Sequence, residues 1–168
     1  MFRALPRVRN YRKEDFEVLH RIDSVCFPEN IVFSRCELNA YLNHPGSIAR
    51  VAQDARGILG FVLARIENRA HAHILTLDVV PEARHKKIGT SLMEALHKEL
   101  EIRGIEAAVL EVGVFNSAAR RLYENLQYRY AGVLSEYYGR GEDAYRMVRT
   151  FFPNGKALAP EILKNHPG

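Results

Sequence analysis

Ile74-Leu75-Thr76-Leu77-Asp78-Val79-Val80-Pro81, then Arg84-His85-Lys86-Lys87-Ile88-Gly89, then Leu92, Leu96 and Leu100 continuing from Ile88 at intervals of four: this stretch decides how the chain is read. Its first part is apolar and rich in β-branched residues, which predicts a buried strand. Pro81 ends that strand, because it has no N–H for the ladder. The four-residue repeat, with Met93 and Ala95 beside it, predicts the apolar face of a helix, and Gly104 is a good stop. A strand that passes through a basic, glycine-bearing turn into a helix is a ready anion site. The first helical N–H groups have no partners inside the helix, and the macrodipole adds partial positive charge. Arg84, His85, Lys86 and Lys87 bring the cationic side chains a pyrophosphate needs. A solvated basic turn would look the same locally. The rest of the chain has to separate the two.

With 168 residues, 47% of them apolar, one globular domain is expected over residues 1–153, followed by a C-terminal tail over 154–168. Arg3, Arg7, Arg9 and Arg12 interrupt the first twenty residues, so no signal-peptide core is expected there. No run approaches the ~18 apolar residues of a membrane span. Cys26 and Cys36 lack a pairing motif and read as reduced thiols of a cytoplasmic protein. The net charge of +4 is unevenly placed, since Arg3, Arg7, Arg9, Arg12 and Lys13 all precede the first acidic residue, Glu14. Such an arm could touch RNA or an acidic partner surface, or be no more than a soluble terminus.

Helices are expected from Asp15 to Val25 and, capped by Ser34, through Leu42. A hairpin follows, with strands Ile48 to Gln53 and Ile58 to Ile66. Glu67 to Ala72 reads as a polar connection. Beyond the long helix come a strand from Glu106 to Val112, a helix capped by Asn116, and strands Arg129 to Tyr138 and Ala144 to Phe151 turning at Gly139-Arg140-Gly141. Interleaved helices and strands around one mixed sheet are an α/β or α+β layer fold.

Three patterns carry a family resemblance. Val80-Pro81-x-x-Arg84-x-x-Lys87-Ile88-Gly89 is similar to an acyl-CoA pyrophosphate loop. Leu110-Glu111-Val112 is followed by Asn116-Ser117-Ala118-Ala119-x-x-Leu122-Tyr123-Glu124. Glu142-Asp143-Ala144 leads into the last strand with Met147. Together they resemble the GNAT superfamily of acetyl-CoA-dependent N-acetyltransferases, and within it most closely the ribosomal-protein-alanine N-acetyltransferase branch. The likeness runs from about Val8 to Phe151. It implies a mixed, mostly antiparallel sheet of six to seven strands flanked by helices, with a parallel pair splayed to admit acyl-CoA. The sequence departs from the pattern in three places. Lys87 replaces the first glycine of the loop, which would cost roughly 1 kcal/mol if that position needs φ > 0. Gln127-Tyr128 stands for the usual Gly-Phe, and no tryptophan follows Phe27-Pro28.

Moving acetyl from a thioester to an amine requires a base for the amine, donors for the developing oxyanion and a proton for the departing thiolate. The resemblance makes Glu111 the base, through water, and Tyr123 the acid. It makes Leu77, Val79 and Val80 the strand segment along the pantetheine arm, with Val79 and Val80 as backbone oxyanion donors. It gives the pyrophosphate to Arg84, His85, Lys86, Lys87, Ile88, Gly89, Thr90 and Ser91, and further cofactor contacts to Asn116, Ala119 and Tyr123. Phe27, Pro28, Glu111, Tyr137 and Tyr138 become the acceptor side. The acceptor it implies is a protein or peptide N-terminus, with a ribosomal protein one candidate, and neither a metal nor a membrane is involved. Read without the resemblance, Glu111 fits an exposed strand face, Tyr123 a half-buried packing residue, and Tyr137 and Tyr138 a pair flanking a turn. His71 and His73 lie two apart on a strand face without the further ligands a metal needs. The rival functions are a lysine or small-amine acetyltransferase of the same fold, and a CoA-binding or RNA-associated module without turnover.

Overall fold

The structure, a computed structural model, describes residues 6–152. The strands are β1 (Arg7–Asn10), β2 (Ser47–Asp54), β3 (Gly57–Ile66), β4 (His71–Val79), β5 (Ala107–Gly113), β6 (Arg129–Leu134) and β7 (Ala144–Thr150). They form one seven-stranded sheet in the order β1-β2-β3-β4-β5-β7-β6, with β4 and β5 parallel. The α-helices among the described residues are α1 (Phe16–Cys26), α2 (Arg35–Asn43), α3 (Ile88–Ile102) and α4 (Ser117–Asn125). The expected mixed sheet is therefore present. Arg3 of the basic arm and the tail over 154–168 lie outside the described residues. No described helix is long and apolar enough to cross a membrane.

The chain packs as two compact units. One runs as far as Arg65 and adds Ile74–Glu99; the other is Ile66–His73 with the chain from Leu100 onward. In the first, Ser34 caps α2 by a reciprocal box with Glu37, its hydroxyl accepting the Glu37 N–H while the Glu37 carboxylate accepts the Ser34 N–H at 2.9 Å. Leu19 and Ile22 of α1 and Leu38 and Leu42 of α2 pack with Val51, Phe61 and Leu63 from β2 and β3. Each such side chain contributes roughly 1.5–3 kcal/mol by leaving water. Strand β1 is the element the sequence reading missed. Its arginines looked like a solvated arm, but Arg7–Asn10 pairs antiparallel with Gln53–Arg50. The Arg9 guanidinium is committed to Asp15 at 2.7 and 2.8 Å and to Gln53 at 2.7 Å.

Strand β4 alternates, but with an unexpected sense. Ala72, Ile74, Thr76 and Asp78 are buried, whereas His71, His73, Leu75, Leu77 and Val79 are half-buried. Asp78 is wholly enclosed and Asp23 of α1 nearly so. The Thr76 hydroxyl donates to Asp78 Oδ1 at 2.6 Å, and the Phe33 N–H donates to the Asp23 carboxylate at 2.8 Å. Asp78 Oδ2 meets no donor, because the polar group bearing on it is the other carboxyl. Burial first, then the charge of Asp23, pushes the Asp78 carboxyl well above the usual carboxylate range, against the pull of the Thr76 hydroxyl. The shift favours the protonated form of the Asp78 carboxyl in the folded chain. Because the folded state keeps this proton to higher pH than the unfolded chain, the stability it confers is complete below about pH 4 and is lost as pH rises toward the folded value. Asp78→Asn keeps an acceptor for Thr76 and a donor for Asp23 without ionising. We expect it to raise stability at pH 8 by about 1 kcal/mol and to flatten the decline between pH 5 and pH 8. Urea unfolding at the two pH values checks both.

In the second unit, β5 pairs antiparallel with β7, and β7 with β6. Ala107, Val109 and Val148 form an apolar patch joined by Ala70 and Ala131. Asn116 caps α4, its side chain accepting the Ala119 N–H at 3.2 Å, as its sequence position predicts. The other end of α4 closes with Tyr128 N–H on Tyr123 C=O and Gln127 N–H on Glu124 C=O, both at 3.0 Å, with Gln127 at φ 69°. That is a Schellman motif, and the ring contact it favours is present: Tyr123 and Tyr128 meet edge to face at 5.8 Å. Strand β6 ends at Leu134, four residues short of the expected Tyr138. Glu136 takes φ 52°, and its N–H is held by the Asp143 carboxylate at 2.8 Å, so Ser135–Gly141 forms a pinned turn instead.

Candidate active site

Glu111 lies in the middle of β5, directly opposite Arg146 of β7. One residue pair back along the ladder, Val109 faces His73 of β4 in parallel register. Side chains alternate along strands, so His73, Val109, Glu111 and Arg146 share one face, just beyond the apolar patch. There the Glu111 carboxylate is enclosed on both sides. His73 Nε2 lies 2.5 Å from Oε2, and the Tyr137 hydroxyl donates to the same oxygen at 3.4 Å. Arg146 Nε and a terminal guanidinium nitrogen donate to Oε1 at 3.1 and 3.0 Å. The Tyr138 hydroxyl donates to the Glu111 carbonyl at 3.3 Å, and the two tyrosine rings meet edge to face at 4.8 Å.

The side chains of Glu111 and Arg146 are 4% and 5% exposed, whereas His73 keeps 20%, so the histidine is the wet member of the cluster. Burial pushes the Glu111 carboxyl up, but the hydrogen bond and charge of His73 and the charge of Arg146 outweigh it and leave the group below its ordinary value. Burial and the Glu111 charge raise both tyrosines, Tyr138 to about 12, so both hydroxyls keep their protons. Of the expected site residues, Glu111, Tyr137 and Tyr138 are brought together. In the same unit Tyr123 lies on α4 and Asn116 caps it, with Tyr123 8% exposed and Asn116 open to solvent. Ala119 is partly exposed one turn after the cap.

The remaining expected residues belong to the first unit. Phe27 is half-buried and Pro28 exposed after the end of α1, where the Pro28 carbonyl accepts the Ile31 and Val32 N–H groups. Arg84, His85, Lys86 and Lys87 are exposed ahead of α3, whose Ile88, Leu92, Met93, Leu96 and Leu100 are buried as the repeat predicts. His85 and Lys87 both take φ 60°. Backbone turned in this way points N–H groups into a concavity suited to an anion. One expectation, Val80 as a backbone oxyanion donor, needs correction here. The Ser91 N–H is committed to the Lys87 carbonyl at 3.0 Å, so the free helical donors are those of Ile88, Gly89 and Thr90. The Val80 N–H is committed to the Leu59 carbonyl at 2.9 Å and is not an oxyanion donor. The Val79 carbonyl accepts from Arg84 Nε at 3.1 Å and from the Cys26 thiol at 3.4 Å. Burial pushes that thiol up, which makes it a poor nucleophile.

Lys87 and Gln127 occupy left-handed positions where the resemblance expects glycine. Lys87→Gly and Gln127→Gly are each expected to stabilise the fold by up to about 1 kcal/mol, less the backbone entropy glycine brings to the unfolded chain. Denaturant midpoints at constant slope measure this.

Sequence reasoning missed His73 and Arg146. His73 was weighed only as a metal ligand, and its signal was its parity with Glu111 on adjacent strands. Arg146 offered a stronger one: an arginine between Ala144 and Met147-Val148, in a mostly apolar segment read as a strand, needs an acid if it is buried.

The sequence pattern of the acetyltransferase (GNAT) family matches residues 6–128. The chain belongs to the GNAT family of acetyltransferases. It is 32% identical over 154 residues to the N-alpha-acetyltransferase of Saccharolobus solfataricus, a match covering 84% of this chain and 91% of that protein. It is 35% identical over 149 residues to the N-terminal acetyltransferase A complex catalytic subunit NAA10 of Arabidopsis thaliana, covering 83% and 75%. The crystal structure of the ribosomal-protein-S18-alanine N-acetyltransferase from Escherichia coli aligns with a TM-score of 0.79 over 92% of this chain and 99% of that one. At 24% identity, that likeness concerns the GNAT fold. As a member of this family the protein is an N-acetyltransferase.

Proposed function

We propose that this GNAT protein transfers acetyl from acetyl-CoA directly to the α-amine of a protein or peptide N-terminus. The observation that carries the reading is the enclosed His73–Glu111 pair, a proton-handling group of the kind amine attack requires. An α-amine has an unperturbed pKa of about 8, within reach of such a pair, whereas a lysine at about 10.4 holds its proton far more firmly. Relatives named N-alpha-acetyltransferase at 32% identity support the same acceptor class.

The paired left-handed residues His85 and Lys87, the exposed cations and the free N–H groups of Ile88, Gly89 and Thr90 fit a pyrophosphate. Acetyl-CoA, when bound, supplies the activated acetyl group and a thiol as leaving group. Arg84, His85, Lys86 and Lys87 bind the phosphates by charge, and the Ser91 hydroxyl remains available to them. Leu77 and Val79 line the arm of the cofactor, with Asn116 and Ala119 at the cap of α4. The His73–Glu111 pair takes the proton the amine gives up. Tyr123 returns a proton to the departing sulfur, as a phenol is suited to do. Tyr137 and Tyr138 orient the peptide, with Phe27 and Pro28 contributing on the acceptor side. The free thiols Cys26 and Cys36 agree with action in the cytoplasm.

The test is acceptor-dependent thiol release over a panel of peptides, including one that begins with a ribosomal-protein sequence. Release is expected with free α-amines and is lost when the α-amine is blocked. Release only with lysine side chains or small amines, or none with any acceptor, overturns the proposal.

A further inference from the structure

The Glu111 carboxylate has about four acceptor positions on its two oxygens. All four are taken: two by Arg146 on Oε1, one by His73 and one by Tyr137 on Oε2. A carboxylate filled in this way has no lone pair left for a proton leaving the substrate. Arg146 accounts for half of the filling. It is buried in β7 in register with Glu111, beside Val148, on a face that packs apolar side chains one step further along. An ion pair in such a place is commonly no more stabilising than apolar residues of similar volume. Packing therefore does not explain the arginine.

We propose that Arg146 is a positioning residue that keeps Glu111 ionised and its Oε1 occupied, and so directs the acceptor's proton to His73 rather than to Glu111. Glu111 then accepts the His73 Nε2–H, which leaves Nδ1 as the ring nitrogen that takes the proton. The amine nitrogen forms its bond to the acetyl carbon as the carbon–sulfur bond breaks; the amine's N–H proton passes to His73 Nδ1, the departing thiol takes its proton from Tyr123, and the imidazolium is held by the adjacent carboxylate. The groups facing this carboxylate are His73 from β4, Arg146 from β7 and Tyr137 from the turn between β6 and β7. His71 lies two residues before His73 on the same face of β4, its Nδ1 buried without a partner. The direction of the Glu111 shift, below its ordinary value, agrees with the assignment.

This inference rests on the acetyl-transfer reading, and the experiment separates the two. The full-length protein is assayed with acetyl-CoA and a peptide acceptor across pH, as wild type, Arg146→Met and Arg146→Lys. The acid limb of the wild-type kcat/KM profile is expected above the carboxylate range. In Arg146→Met, kcat is expected to fall about tenfold or more, with the limb moved upward by about one pH unit, the size of one nearby charge. Arg146→Lys, which keeps the charge, restores the limb to its wild-type place. A wild-type limb in the carboxylate range, or a limb unmoved in Arg146→Met, overturns the proposal. If Arg146→Met does not fold, Arg146→Gln carries the same expectation, since it keeps a donor to Oε1 and loses the charge. Should no peptide be acetylated at any pH, the functional reading fails, yet Arg146 is still tested by NMR titration of the His73 ring. Its midpoint is expected to rise on loss of Arg146, and an unchanged midpoint refutes the role.

Discussion

Glu111→Gln is expected to lower kcat by about a hundredfold or more, with the KM for acetyl-CoA changed far less. General acid–base groups contribute typically 10²- to 10⁴-fold, and the substitution removes the charge that holds His73 while keeping the size of the side chain. His73→Ala is expected to lose a similar factor. The two act as one unit across a 2.5 Å contact, so the double variant should cost little more than either alone. Additive losses would mean that the two side chains work separately. Stability must be followed in parallel, because Glu111→Gln leaves the buried Arg146 guanidinium without its counter-charge. Breaking a buried pair in this way costs roughly 3 kcal/mol or more. If a double variant, Glu111→Gln with Arg146→Met, recovers stability but not turnover, structure and chemistry are separated.

Tyr123→Phe is the second large effect. The ring is placed by its own helix end: the Schellman closure at Gln127 and the edge-to-face contact with Tyr128 hold it whether or not the hydroxyl is present. Removing the oxygen should therefore change stability by no more than about 1 kcal/mol. Turnover should drop by roughly a hundredfold, because the departing thiolate loses its proton donor. The KM for acetyl-CoA should rise by a smaller factor. Steady-state kinetics with a thiol probe and a thermal melt measure both. Wild-type turnover in this variant would remove Tyr123 from the chemistry and leave it a packing residue.

The sequence made most of the elements legible because their causes are local. The period-four repeat from Ile88, the Ser34 and Asn116 caps, Pro81 after the β4 strand and the hairpin turn around Asp54-Ala55-Arg56-Gly57 each act within a few residues. What stayed hidden depends on pairing between distant segments. Strand β1 was invisible because its Arg9 is neutralised by Asp15 and aligned by Gln53, neither of which its own sequence announces. Strand β4 read as a buried, mainly apolar strand, and only the fold shows that it buries Thr76 and Asp78 while leaving Leu75 and Leu77 half-covered. The candidate site divides along the same line. Glu111 and the two tyrosines came from the family resemblance. His73 and Arg146 reach Glu111 through a parallel register and an antiparallel one, and neither can be counted along the chain.

The most direct measurement maps the acetyl group itself. The full-length protein is incubated with acetyl-CoA and a peptide that carries both a free α-amine and an internal lysine, and the product is fragmented in a mass spectrometer. The acetyl group is expected on the α-nitrogen, at a rate that collapses in Glu111→Gln. An acetyl group on the lysine, or one on the α-nitrogen formed as fast without the Glu111 carboxylate, would contradict the account.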